Sequence, residues 1–345
     1  MCHQSGIIAA HRTWCIEQRS QQILPDIPNP RCVLLQAVHD EADMFAVQLQ
    51  QLCPHDLGWV IAACNANSAA GAANCLLHQL DDLVKLLVVN ARIVCQNVVV
   101  DNCVGRSGAN GLKFGTVSRG GFRNFKVTNI TIYDTYRSAI TFAAVDGGLI
   151  DNILVDGVRS INTGNVIFLR IGDRWGKGKQ PSMKNVTIQN VYAEVPLRKP
   201  DAGYNYEGPI EDMPRNISPA SIVGLPDYPI ENITLKNITM VYPGGGNKLF
   251  AYRGLTPAEL DGIPEMRDTY PEFSQFRELP AWGFYIRHAK NITMDNVQLI
   301  AQKPDYRPAI VLDDVHGGDL ENVTINDPGK KKNEIVVFQS TDIKK

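Results

Sequence analysis

Cysteine is missing from residues 104–345, although the chain holds eight, at positions 2, 15, 32, 53, 64, 75, 95 and 103. No two are spaced as CxxC, which removes the usual basis of a zinc site. A disulfide framework confined to the first third stays open. Long apolar runs are lacking too: no stretch reaches the roughly 18 consecutive apolar residues that a spanning helix needs, so no membrane partner is expected. There is no excess of positive charge. The net charge of -2 argues against a nucleic-acid partner held by counterion release. The opening "MCHQSGIIAAHRTWC" shows no basic region leading into an apolar stretch, so no export signal is read there.

Glycine is scarce at one end. Gly6, Gly58 and Gly71 are the glycines before residue 92, and 25 of the 28 follow. Five of the seven histidines (His3, His11, His39, His55 and His78) fall in the same glycine-poor part. This part shows no sustained alternation of apolar and polar residues. Stretches such as "EADMFAVQLQQL" and "CLLHQLDDLVKLLVV" have helical spacing. Residues 1–92 therefore read as an atypical, irregular or helical segment, with two readings open. One is a small helical domain. The other is a stretch not native to this gene, as a shifted reading frame would leave, because local pattern and fold agree after residue 95 and not before it.

What is present from residue 93 to residue 345 is a repeat. "QNVVVDNC", "RNFKVTNITI", "DNILVDGV", "KNVTIQNV", "ENITLKNITM", "KNITMDNVQL" and "ENVTINDP" share one pattern. Their leading asparagines are Asn97, Asn124, Asn152, Asn185, Asn232, Asn291 and Asn322, at separations of 27, 28, 33, 47, 59 and 31 residues. Alternating β-branched residues over five or six positions form strands. Recurrence at such a period is the mark of a solenoid, whose units bury their apolar faces only by stacking. The expected fold is all-β: a right-handed parallel β-helix from about residue 93. Asparagine suits the turns because it tolerates left-handed backbone, and its amide can bond to the asparagine of the next unit. The N-x-S/T triplets at Asn129, Asn185, Asn216, Asn232, Asn237, Asn291 and Asn322 are accordingly read as turn residues rather than glycosylation acceptors.

The two long separations contain Pro-, Gly- and aromatic-rich excursions over residues 194–229 and 242–282. Insertions in a solenoid gather on one face and can wall a groove. Tyr204, Tyr206, Tyr252, Tyr270, Phe273 and Trp282 argue for ordered excursions. "TPAELDGIPEM" should hold a short helix capped by Thr256, with Glu259 completing the cap.

"GANGLKFGTVSRGGFRNFKVTNITIYDTYRSAITF" and the strands after it resemble the pectin hydrolases, glycoside hydrolase family twenty-eight. They are nearest its bacterial polygalacturonase and rhamnogalacturonan hydrolase types, and the resemblance covers about residues 94–339. It implies a parallel β-helix, secreted or periplasmic, that hydrolyses pectic polysaccharide with inversion and without metal or cofactor. A monomer is expected. The family motifs read NxD, DD, GHG and RIK. On the third, Ala109 and Asn110 stand where Gly and His are usual, while Gly111, Leu112 and Gly115 match. Lys113 offers a cation to a uronate. Near the fourth stand Arg137 before "SAITF" and, a unit further on, Arg170 in "FLRIGDR". Arg170, Asp173 and Arg174 suit a uronate face. With Asn110, Lys113 and Arg137 they form the expected substrate-binding set. The catalytic aspartates belong upstream, where Asp81 and Asp82 are the one DD pair and lie 28 residues before Asn110.

Inversion requires one carboxyl to protonate the leaving oxygen and another to activate water, about 6.5–9.5 Å apart. Asp146 and the pair Asp313–Asp314 read as turn residues, and His288 and His316 show no ligand-like partners in the sequence. Other classes compete. A carbohydrate-binding or adhesive β-helix needs no acid and base. A lyase on the same fold needs clustered carboxylates for Ca²⁺, and no such cluster stands out.

Overall fold

The computed structural model describes residues 34–36, 94–116, 119–174, 180–198, 216–251, 254–329 and 334–345. These residues are mostly strand, with almost no helix, and their strands pair in parallel. Asp81 and Asp82 lie outside the described residues, as does nearly all of the atypical segment. Its one described piece is extended: β1 (Leu34–Gln36) lies parallel to β2 (Cys95–Arg106), with Leu34 opposite Val104. Strand pairing thus begins upstream of residue 93, and at this point the segment is neither helical nor irregular.

The other strands are β3 (Leu112–Phe114), β4 (Phe122–Ala144), β5 (Leu149–Ile171), β6 (Ser182–Glu194), β7 (Ala220–Val223) and β8 (Ile230–Tyr242), followed by β9 (Phe284–Ala301), β10 (Ile310–Asp319), β11 (Val323–Asn326), β12 (Ile335–Phe338) and β13 (Thr341–Lys344). All thirteen belong to one sheet, whose main path runs β1-β2-β4-β5-β6-β8-β9-β10-β12. The register repeats the spacing of the asparagines. Val98 faces Phe125, which faces Ile153, then Val186, Ile233 and Ile292. Every residue in this row is buried in the same apolar core. A second row runs Phe114, Phe142, Leu169, Ile222, Ile286 and Leu312 through β3, the end of β4, the end of β5, β7, β9 and β10. It belongs to that core as well.

The long strands bend at residues of left-handed backbone. Asn97, Asn124, Asn152, Asn185, Asn232 and Asn291 have φ between 54° and 60°. Asn124 donates to Asn97 Oδ1 at 2.9 Å, Asn152 to Asn124 at 2.8 Å, Asn232 to Asn185 at 2.9 Å and Asn291 to Asn232 at 2.9 Å. A parallel ladder runs through Asn190, Asn237 and Asn296 at 3.0 Å per step. Gly157, at φ +78°, takes its place in that ladder without a side chain. Asn190 turns instead to Asp156 Oδ1 at 2.6 Å.

Two of the expected turn residues behave differently. Asn322 bonds to Asp295 at 3.2 Å, while Gly317 packs against Asn291 in the place the repeat assigned to Asn322. Asn216 is buried outside both ladders and donates to Glu278 Oε1 at 2.5 Å.

Asn232→Leu removes two ladder bonds and puts a γ-branched residue at φ 57°. A left-handed residue costs about 1–2 kcal/mol for L-amino acids. A loss of about 2 kcal/mol in urea denaturation is therefore expected. Asn232→Gly should lose less, because glycine keeps the backbone angle at little cost.

The excursion between β8 and β9 folds back over the outer surface of the second row. Helix α1 (Pro257–Asp261) opens with the expected capping box: Thr256 accepts from Glu259 N–H, and the Glu259 carboxylate accepts from Thr256 N–H. Leu260, Ile263, Phe273, Phe276, Leu279 and Ala281 then form a second apolar cluster with Phe168, Val223, Tyr285 and Val311, which face outward from the strands.

Candidate functional site

Strand alternation decides which side chains reach the underside of this excursion. In β3, Leu112 and Phe114 point into the core and Lys113 points out. The outward row beside it runs Lys113, Thr141, Phe168, Ser221, Tyr285 and Val311. Two residues on, Arg170, Val223, Arg287 and Asp313 form the next outward row. Charges in these rows are outside the core, yet most are buried, because the excursion lies on them.

At one end of the rows, three cations gather around one phenol. Lys113 Nζ donates to Tyr270 Oη at 2.9 Å, and Arg137 Nη1 donates to the same oxygen at 3.2 Å. The Lys113, Arg137 and Arg174 charges lie 5.1, 5.2 and 5.7 Å from the Tyr270 ring centroid, within cation–π range. Among the described residues, two carboxylates touch this group. Glu272 forms an ion pair with Arg137, both nearly buried, and Asp146 receives Arg174 Nε at 3.1 Å and Nη2 at 2.9 Å. Three of the expected substrate-binding residues, Lys113, Arg137 and Arg174, therefore share one place. Asp146 lies in a bend, as expected, and is also the fork partner of Arg174.

The other three stand apart. Asn110 is buried beneath the site, where its Oδ1 accepts from Thr141 Oγ1 at 2.7 Å and from Ser138 N–H at 3.3 Å. Arg170 is 1% exposed and donates to the backbone carbonyls of Glu265 at 2.7 Å and Met266 at 2.5 Å. Burial pulls its guanidinium down to about 9, against the pull of Glu265 in the other direction. Asp173 lies beside Arg267 at 3.8 Å and gives its backbone N–H to the Arg267 carbonyl at 2.9 Å. Arg170 and Asp173 thus hold the excursion at residues 265–267.

A second charged cluster, not foreseen from the sequence, follows along the same row. Arg287 donates to the Ile263 carbonyl at 2.6 Å and lies 2.9 Å from Glu265 and 3.3 Å from Asp313. Tyr285 Oη donates to Asp313 at 2.9 Å. Burial raises the Asp313 carboxyl in spite of Arg287. His288 bridges Asp314 through Nδ1 at 2.5 Å and Glu265 through Nε2 at 3.0 Å. His316 reaches Asp314 at 2.8 Å. The turn reading of Asp313–Asp314 is corrected: both lie within β10, Asp313 buried and in register with Arg287, and Asp314 at a bend of the strand with φ 56°. The signal that could have found this cluster is the excursion itself, which brings Glu265 onto a row whose members are separated by 26 residues or more. Among the described residues, no group of His, Cys, Asp and Glu has the arrangement of a metal site.

Searches against family models, curated proteins and solved structures return no match to this chain.

Proposed function

We propose that the chain is a right-handed parallel β-helix of the pectin-hydrolase type that binds pectic polysaccharide, galacturonan or rhamnogalacturonan, and hydrolyses it with inversion. The observation that carries this reading is the convergence of Lys113, Arg137 and Arg174 on Tyr270. A uronate presents a carboxylate on a sugar ring. Ammonium and guanidinium groups suit the carboxylate, and a phenol ring suits the sugar face. The β-helix is supported by parallel registers that repeat the asparagine spacing and by the two side-chain ladders.

In this reading the cations orient the uronate, and Asp81 and Asp82 provide the acid and base of an inverting displacement. Neighbouring carboxylates raise one another's pKa, which keeps one protonated for the leaving oxygen. A second reading, binding without turnover, is favoured by a specific observation. Asp146 and Glu272, the carboxylates against the cations, are each held by an arginine, which suits structural anions better than a general acid.

Isothermal titration of the full chain with oligogalacturonate and rhamnogalacturonan oligosaccharides tests the binding. Lys113→Ala removes one charge-assisted contact, worth about 1.5–3 kcal/mol, so binding about 10–100-fold weaker is expected. Undetectable binding of every pectic oligosaccharide by the unaltered chain would sink both readings. A reducing-end assay then divides them: release that disappears in Asp82→Asn supports hydrolysis, and binding with no release supports the second reading.

A further inference from the structure

The excursion over the two outward rows is attached in an unusual way at residues 263–267. Its apolar cluster involves Leu260 and Ile263 on one side and Phe273, Phe276 and Leu279 on the other. Between them Met266 also packs against this cluster, and the polar contacts are carbonyls of Ile263, Glu265 and Met266 taken by Arg287 and Arg170, and the Glu265 carboxylate taken by Arg287 and His288. The same run continues to Tyr270 and Glu272, which cover Lys113 and Arg137. Residues 263–272 form a strap across the basic site.

We propose that His288 is a pH-sensitive latch that holds this strap closed over the basic site. The geometry sets the requirement. Nδ1 faces Asp314 and Nε2 faces Glu265, so each ring nitrogen meets a carboxylate oxygen. A neutral imidazole carries one N–H and can serve only one of them; the imidazolium serves both. Loss of the proton therefore breaks either the bond to the strap or the bond to β10. It also leaves an acceptor nitrogen facing an anion.

The groups around His288 act in opposite directions. Glu265 from the strap and Asp314 from β10 favour the charged ring, and Arg287 from its own strand opposes it. His316, on the far side of Asp314, competes for that carboxylate. Asp313 of β10 and Asp227, ahead of β8, also feel the His288 charge. Burial alone would lower the His288 pKa, but the bonds to Glu265 and Asp314 outweigh it and raise the group above its ordinary 6.5. Burial pushes Glu265 and Asp314 up, and the His288 bond with the neighbouring cations brings both below their ordinary 4.5 and 3.8. A raised histidine contributes stability that is complete below 6.5 and lost as pH rises through its folded value. The lowered carboxylates contribute stability that is present above 4.5 and 3.8 and lost as pH falls through their folded values. The strap is therefore held most firmly between 4.5 and 6.5 and loosens as pH rises above 6.5 through the folded value of His288.

The latch does not depend on what the basic site binds. Hydrogen exchange read by mass spectrometry on the full chain tests it, with protection of residues 263–272 corrected for the intrinsic rate and referred to residues 289–295 of β9. A several-fold loss of strap protection relative to β9 is expected between about pH 5.5 and about pH 9. In His288→Gln that pH dependence should vanish. A flat profile in the unaltered chain, or an unchanged slope in His288→Gln, overturns the proposal. Should His288→Gln lose protection throughout β9, Glu265→Gln gives the reading instead, since Glu265 lies on the strap and is half-buried. Its profile should be flat, and a slope like that of the unaltered chain overturns the latch.

Discussion

Phe114→Ala is expected to cost about 3–5 kcal/mol of unfolding free energy, the range for a buried phenylalanine truncated to alanine. The proposed binding of pectic oligosaccharides should be lost with it. The Phe114 ring is 4% exposed and meets three other rings edge-on: Phe142 at 4.6 Å, Phe125 at 4.9 Å and Phe122 at 5.1 Å. Such pairs add about 0.5–1.5 kcal/mol each beyond the area they bury. The position matters as much as the contacts. β3 has three residues and, among the described strands, pairs only with β4, so its described hold on the sheet comes from that pairing and from Leu112 and Phe114 entering the core. Lys113 stands between those two anchors. Cutting back the ring should release β3 and carry the ammonium away from Tyr270. Urea denaturation and titration with oligogalacturonate, performed on Phe114→Ala and Lys113→Ala in parallel, separate the two consequences. Lys113→Ala should weaken binding with little change in the denaturation midpoint, and Phe114→Ala should lower both. A Phe114→Ala chain within about 1 kcal/mol of the unaltered one would mean that the aromatic cluster does not hold β3.

For the first six repeats, carried by β2, β4, β5, β6, β8 and β9, the strands, their parallel partners and their register were legible in the sequence, because three physical signals coincide at each of them. β-Branched residues alternate, an asparagine marks each bend, and the separation of those asparagines is the register itself. Val186 faces Ile233 across 47 residues because the excursion between them adds length without altering the pattern on either side. The cap at Thr256 was legible for a similar reason, since a capping box is contained within four residues.

What could not be read was the ionic layer. Arg170 was seen as a sugar ligand because arginine next to a strand end looks solvent-facing. Whether it meets solvent or the Glu265 and Met266 carbonyls depends on where an excursion 95 residues away comes to rest. His288 had no visible partner because Glu265 and Asp314 reach it by strand stacking and by loop return, neither of which is a local sequence property. Asn322 was misplaced by one ladder for the opposite reason. Its local pattern is that of the other repeats, but Gly317 occupies the stacked position.

Glu272→Ala is expected to cost about 3–5 kcal/mol, as breaking a buried ion pair from one side generally does. Glu272 and the Arg137 side chain are 4% and 8% exposed, so neither partner can recover solvent when the other is removed. Among its contacts the guanidinium would keep the Tyr270 hydroxyl, an acceptor that carries no charge. Replacing both partners with apolar residues of similar volume, Arg137→Met with Glu272→Leu, should restore most of that loss, because an ion pair's attraction and its desolvation nearly cancel. A double-mutant cycle by urea denaturation through Arg137→Met, Glu272→Leu and the double variant measures this, with a coupling of about 3 kcal/mol or more expected. Additive single costs would mean that the two residues are independent and that the strap is held elsewhere. The same double variant separates structure from recognition. It should keep the strap folded while losing one of the three cations around Tyr270, so a stable chain with weakened oligogalacturonate binding is the expected result. A stable chain with full binding would move the proposed uronate site away from Arg137 and leave Lys113 and Arg174 to account for it.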